Sequence, residues 1–149
     1  MEVTGEQLIS LPQEATWRAL NDTAVLKDCI PGCETIERVS DSEYQLTMTA
    51  KVGPVSAKFK GKMTLSDVDP PQAYTLVFEG QGGVAGFARG QANVQLTPDH
   101  EGTRLAYAVK AMIGGKLAQV GSRLVDGVAK KMAEQFFTAF NQRVSGAKS

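Results

Sequence analysis

Apolar and polar positions change period along this chain, and the changes mark its elements. From Gly114 to Val144 the apolar residues Leu117, Val120, Leu124, Val128, Met132, Phe136 and Phe140 recur at steps of three or four. That is the repeat of one helical face, and Gln119, Arg123, Asp126, Lys130, Glu134, Thr138 and Asn141 fall mostly on the other side. The pattern predicts a single helix about 45 Å long, well above the usual length of roughly 11–12 residues, with Gly121 and Gly127 in its first half as the places where it would bend or open. Such a helix needs a large apolar surface to lie on.

The middle of the chain supplies that surface. Tyr44, Leu46, Met48, Ala50 and Val52 alternate with polar residues. After Gly53-Pro54 the alternation is cleaner: Val55, Ala57, Phe59, Gly61, Met63 and Leu65 lie on one face, and Ser56, Lys58, Lys60, Lys62, Thr64 and Ser66 on the other. A period of two with one dry and one wet face belongs to antiparallel strands. Tyr74 to Gly80, Ala88 to Leu96 and Leu105 to Ile113 continue it, separated by turns rich in glycine and proline. Near the start, Val3 to Leu11 reads as a strand. Pro12 to Leu20 follows as a short helix with proline early and acid in its first turn. Ala24 to Cys29 is a second short helix started by Asp22 or Thr23, and Ile36 to Val39 a short strand.

The predicted order is strand, two short helices, six strands, long helix. This is an α+β chain forming one domain over residues 1–145, with a frayed end at 146–149. A one-faced sheet must cover its dry side, and only the C-terminal helix is large enough. The expected shape is a curved seven-stranded antiparallel sheet wrapped around that helix, with the short helices propping its far end.

Small residues recur on the predicted inner face: Ala50, Ala57, Gly61, Gly80, Ala88, Gly90, Ala92 and Ala111. They let the sheet curve and the helix approach, or they leave a cavity. A cavity would be lined by Met48, Phe59, Gly61, Met63, Leu76, Phe78, Gly90, Tyr107 and Val109. Leu117, Val120, Leu124 and Val128 would roof it. Only the hydroxyls of Tyr44, Tyr74 and Tyr107 bring polarity near this space, so its ligand would be an apolar small molecule held by area.

Charge narrows the partners. In 149 residues, 16 basic side chains balance 16 acidic ones, so nucleic acid is not expected. No apolar run approaches the roughly 18 residues of a membrane span, and Met1 to Glu6 lacks the basic start of a secretory signal. The expected compartment is the cytoplasm, where Cys29 and Cys33 stay reduced. Their four-residue spacing lacks the further ligands of a metal site, and His100 sits in a turn. No catalytic set and no metal site are expected. Gly80 to Gly86 joins two strands rather than a strand and a helix, so it reads as a hairpin tip or lid, not a phosphate loop. Lys58, Lys60 and Lys62 form a basic ladder on the wet face. It either discourages edge pairing or meets anionic lipid or an acidic partner.

Several blocks, in order, carry a resemblance: Cys29-Ile30-Pro31-Gly32-Cys33-Glu34, Lys51-Val52-Gly53-Pro54-Val55, Phe59-Lys60-Gly61-Lys62 running to Asp67-Val68-Asp69-Pro70-Pro71, Ala85-Gly86-Phe87-Ala88, and Gly114-Gly115-Lys116-Leu117-Ala118-Gln119. Over nearly its whole length the chain resembles the carbon monoxide dehydrogenase G-subunit family, in the START-like, polyketide-cyclase and lipid-transport superfamily. The resemblance implies a helix-grip fold with an apolar cavity and no covalently bound cofactor. It implies an accessory protein that binds a quinone or lipid and links a molybdenum-containing carbon monoxide dehydrogenase, or a related hydroxylase, to the inner face of the cell membrane. Some members carry an extra C-terminal segment tied to membrane attachment. Here the sequence runs only to Ser149, which fits a soluble or loosely peripheral carrier. Two rival expectations are an enzyme of the cyclase or dehydratase type using the same cavity, and a recruitment factor whose cavity is incidental.

Overall fold

The computed structural model describes residues 1–146. Strand β1 (Glu2–Ile9) is followed by helices α1 (Gln13–Leu20) and α2 (Thr23–Cys29). Six strands come next: β2 (Cys33–Ser40), β3 (Glu43–Val52), β4 (Val55–Asp69), β5 (Ala73–Gln81), β6 (Phe87–Asp99) and β7 (Gly102–Gly114). A 3-10 turn, Gly83–Ala85, lies between β5 and β6, and helices α3 (Lys116–Gln119) and α4 (Ser122–Gly146) close the chain. All seven strands form one curved antiparallel sheet in the order β1-β7-β6-β5-β4-β3-β2. The sheet curls around α4, as the alternating pattern predicts.

Local chemistry sets the connections. Asp22 caps α2 by accepting the Ala24 N–H at 2.9 Å. Val52 pairs with Val55, leaving a two-residue turn in which Gly53 takes a φ of 60° that side chains avoid. The Thr103 hydroxyl donates to the Leu11 carbonyl at 2.7 Å and lies 3.3 Å from the Thr16 hydroxyl, so a fully buried threonine pair fastens α1 to β7.

The long helix departs from expectation in where it starts, and of the two glycines at which the sequence places a bend or opening, Gly121 bends the chain while Gly127 stays helical. It does not begin at Gly114, which instead pairs with Phe87 as the last residue of β7. One short helical stretch, α3, follows, and the chain then bends at Gly121, whose φ of 99° is incompatible with a right-handed helix. Only from Ser122 does α4 run unbroken, about 37 Å at its usual rise. The threefold-fourfold repeat runs on through Leu117 and Leu124, but the bend rotates one segment against the other. Leu117 is buried and Leu124 is turned outward.

The main core lies toward the C-terminal half of α4. Phe137, Phe140 and Val144 pack with Ile9, Leu20, Val25, Leu96 and Leu105, and Trp17 and Phe136 join them. Trp17 meets Tyr74 edge to face at 5.2 Å, and Tyr107 stacks on Phe137 at 5.2 Å. Phe136, Phe137 and Phe140 thus share the cluster that Trp17 packs against, and Met132, one turn earlier, does not belong to it. The Asn141 side chain donates to the Leu8 carbonyl at 3.0 Å and accepts the Ser10 N–H at 3.3 Å, covering part of the exposed edge of β1. A second, smaller cluster of Phe59, Ala85 and Leu117 sits at the opposite end. The frayed end expected over 146–149 lies, from 147 on, outside the described residues; Gly146, the last described residue, is still in α4.

Candidate functional site

Between the two clusters the sheet and α4 do not meet. They leave a partly open cavity of about 400 Å³ between them. Its floor is the inner face of the sheet: Leu46, Met48, Ala50 and Val52 from β3, Phe59, Gly61 and Met63 from β4, and Leu76, Phe78 and Gly80 from β5. Ala88 and Ala92 of β6, Ala111 and Ile113 of β7, Met1 and Ile30 complete the walls. Leu117, Val125, Val128, Ala129 and Met132 form the roof.

The floor follows from strand register. Gly61 faces Gly80, and Gly80 faces Ala88, so three consecutive positions across the sheet carry a methyl group or less. A methyl placed on Gly80 would have only the Ala88 carbonyl near it, at 3.9 Å. Small residues here leave room rather than draw the helix down. Of the two sequence readings, curvature or cavity, the space itself answers for the cavity.

Eight of the thirteen expected wall residues line it: Met48, Phe59, Gly61, Met63, Leu76, Phe78, Leu117 and Val128. Five do not. Tyr107 belongs to the main core, stacked on Phe137 and lying across Gly5 of β1. Val109 sits between Val3 and Ala92, beside the wall rather than in it. Gly90 lies where β6 and β7 press together, so a side chain there would be driven into the Lys110 carbonyl and Ala111. Val120 falls in the bend, and Leu124 points to Gly53 of the β3–β4 turn. Val125 and Ala129 take the roof positions in their place. Met1 and Ile30 come from distant segments and carry no periodic signal.

The wall is almost wholly apolar. Lys62 and Glu79 touch the cavity between residues that line it, but strand alternation sends their side chains to the outer face. There Lys62 pairs with Glu43 at 3.3 Å, and Glu79 accepts from Gln81 at 3.0 Å. The tyrosine hydroxyls stand apart: Tyr44 donates to the Asn21 carbonyl at 3.3 Å, and burial pushes the pKa of Tyr44, Tyr74 and Tyr107 upward. They stay neutral and outside the wall. Asp126 is the one described residue with a buried side-chain oxygen, Oδ1, lacking a hydrogen-bond partner, and it too is not a wall residue.

The other candidates fall away from the cavity. Cys29 is buried and Cys33 half-buried, both as free thiols whose pKa is raised first by desolvation. His100 is exposed in the β6–β7 turn. Neighbouring Asp99 is held below its ordinary pKa, chiefly by the Glu101 N–H at 3.1 Å and then by Arg104 at 3.2 Å. Among the described residues no group of three or more metal-binding side chains gathers, and no helix is long and apolar enough to cross a membrane. The lysine ladder is largely spent: Lys58 pairs with Glu34 at 3.2 Å and Lys62 with Glu43. The glycine hairpin is not a free tip. Ala85 is buried against Phe59 and Leu117, while Val84 beside it is exposed.

The architecture is shared with solved structures. A conserved protein of Geobacillus kaustophilus is 30% identical, aligns over 99% of this chain and 97% of its own, and superposes with a TM-score of 0.92. A Thermus thermophilus protein is 20% identical over the full length of both chains, with a TM-score of 0.75. An aromatase/cyclase, Zhui from Streptomyces sp. R1128, shares the fold at 12% identity and a TM-score of 0.70, over 97% of this chain and 93% of its own. No curated protein matches the sequence. The sequence pattern of CoxG, the G-subunit of carbon monoxide dehydrogenase, matches residues 5–145. With that match spanning nearly all of the chain, and carried on the helix-grip fold, this protein belongs to the CoxG family.

Proposed function

We propose that this protein is a carrier of an apolar small molecule, a quinone or a lipid, and serves a molybdenum-containing carbon monoxide dehydrogenase or related hydroxylase at the membrane. The observation that supports this best is the apolar cavity with no ionisable side chain in its wall. Its size falls within the usual range for small-molecule sites, roughly 300–1,000 Å³. Each methylene of a ring substituent or tail buried there contributes about 0.8 kcal/mol without any charged partner. Membership in the CoxG family supports the link to such an enzyme. The aromatase/cyclase neighbour shares the fold alone. Acid–base chemistry in this cavity would need a titratable group within reach of a bound molecule, and the wall offers none, so we assign no enzymatic activity.

Titration with a short-chain quinone analogue tests this. Saturable binding is expected, and Val128→Trp, which fills the roof, should weaken it at least tenfold while the protein stays folded. Folded protein that takes up no quinone and no lipid would refute the assignment.

A further inference from the structure

We infer that the end of the molecule beside Leu117 is a docking surface for an anionic lipid bilayer. The inference rests on the carrier reading above and adds the surface from which such a ligand is collected. Three segments converge at this end: the β3–β4 turn at 51–55, the 3-10 turn Gly83–Ala85, and the stretch 114–124. Gly53 lies against Leu124, Gly86 lies against Gly114 and Gly115, and Leu117 and Ala85 are buried together on Phe59.

What these segments turn outward is apolar and basic. Val84 is 85% exposed, Leu124 is 39% exposed, and Pro54 of the β3–β4 turn is exposed too. Lys51, Lys116 and Arg123 are exposed around them, and none makes an ion pair with a described residue. The segments 51–55, 82–88 and 114–124 contain no aspartate or glutamate. Nearby carboxylates are engaged or turned away: Glu34 is held by Lys58 at 3.2 Å, Glu79 by Gln81 at 3.0 Å, and Asp126 has its Oδ1 buried. In a chain with 16 basic and 16 acidic residues, this is a local excess of one sign.

The arrangement fits one occupant. Exposed apolar tips ringed by cations match the boundary between acyl chains and anionic headgroups, where each lysine or arginine contributes about 1 kcal/mol. The outer face of the sheet is a poorer match, because two of its three ladder lysines are already paired. The placement also joins surface to cavity. Val52 and Leu117 line the chamber from within the same segments that carry the exposed tips. Seating this end on a bilayer therefore sets the hydrocarbon against the chamber wall and gives an apolar ligand a path that avoids water.

Sedimentation with ligand-free full-length protein tests this, using vesicles of phosphatidylglycerol with phosphatidylethanolamine and vesicles of phosphatidylcholine alone. Binding is expected to the anionic vesicles only, falling as salt rises. Lys116→Glu with Arg123→Glu should weaken it at least 25-fold, at about fivefold per charge removed or reversed. Val84→Asp should also weaken it at least about fivefold. Lys58→Glu with Lys60→Glu, on the outer face, should leave it within about twofold. Absence of binding to anionic vesicles, equal binding to both vesicle types, or equal loss in the outer-face variant would overturn the assignment. Binding to soluble polyglutamate as tight as to vesicles, and indifferent to Val84→Asp, would overturn it in favour of an acidic protein partner. Uptake of the apolar dye N-phenyl-1-naphthylamine, followed in every variant, reports the chamber independently of vesicle binding, and circular dichroism on the same samples reports folding. Vesicle binding without dye uptake sinks the carrier reading alone; dye uptake without vesicle binding sinks the docking surface alone.

Discussion

Gly61 of β4 and Gly80 of β5 face each other across one register position, and neither brings a side chain to the chamber floor. The two differ in what a side chain would meet. At Gly61 a methyl would press on Leu46 at 3.3 Å, whereas at Gly80 it would meet only the Ala88 carbonyl, at an ordinary contact distance of 3.9 Å. Gly80→Leu should therefore fill the chamber at little cost to the fold. We expect quinone-analogue binding to fall at least tenfold, with a melting temperature within a few degrees of the parent. Isothermal titration and thermal unfolding on the same samples check both. Undiminished affinity would show that the ligand lies elsewhere.

The stability of the molecule is concentrated at the other end. Phe140 is fully buried in the main core and stacks on Phe136 at 5.9 Å. Phe140→Ala should cost about 3–5 kcal/mol, the usual range for removing a buried phenylalanine. Urea denaturation would measure it, and a loss under about 1 kcal/mol would mean the core can collapse around the gap.

The bend at Gly121 gives a prediction of sign. If one helix ran from Gly114 to Val144, Gly121→Ala would stabilise it by about 1 kcal/mol. With φ at 99° and no atom within 4 Å of the added methyl, the change should instead destabilise by roughly 1–3 kcal/mol through the backbone alone. The direction of the shift in denaturation midpoint separates the two geometries.

Buried acids make the fold sensitive to alkali. Desolvation raises the pKa of Cys29 above its ordinary 9.0 and those of Tyr44, Tyr74 and Tyr107 above 10.0. Above those ordinary values the unfolded chain has given up protons that the folded chain still holds, so stability falls as pH rises. The contribution is fully present below about pH 9 and is lost progressively above it. Denaturation midpoints from pH 8 to 11 should decline, and Cys29→Ala should flatten the first part of that decline. A midpoint that stays level to pH 11 would contradict the burial of these groups.

The strands were legible because a half-buried sheet writes itself in a period of two. Once β3, β4 and β5 are placed by that alternation, Met48, Phe59, Met63, Leu76 and Phe78 can only face the same side. The helix was less legible because its period survives a change of axis. Leu117 and Leu124 keep helical spacing across Gly121, yet the bend sends one into the chamber and the other to the surface. Gly114-Gly115 and Gly121 are the signals that mark the breaks, since glycine is costly inside a helix and at home where φ turns positive. Val125 and Ala129 follow once the phase of the repeat is restarted at Ser122. Tyr107 and Val109 share the inward parity of the chamber strands, but Tyr107 stands too far along β7, stacked on Phe137 of α4, and Val109 falls between it and the wall residue Ala111. Met1 and Ile30 reach the wall by tertiary folding alone, and no local pattern announces them.

Along α4, Val125 to Met132 cover empty space and Phe136 to Val144 seal the interior. Substitutions in the first group alter what fits beneath them, and substitutions in the second decide whether the chain folds. Ligand preference can thus drift across generations without eroding the frame that holds the ligand. An engineer has the same freedom to re-cut the chamber for a new molecule while leaving the aromatic half of the helix untouched.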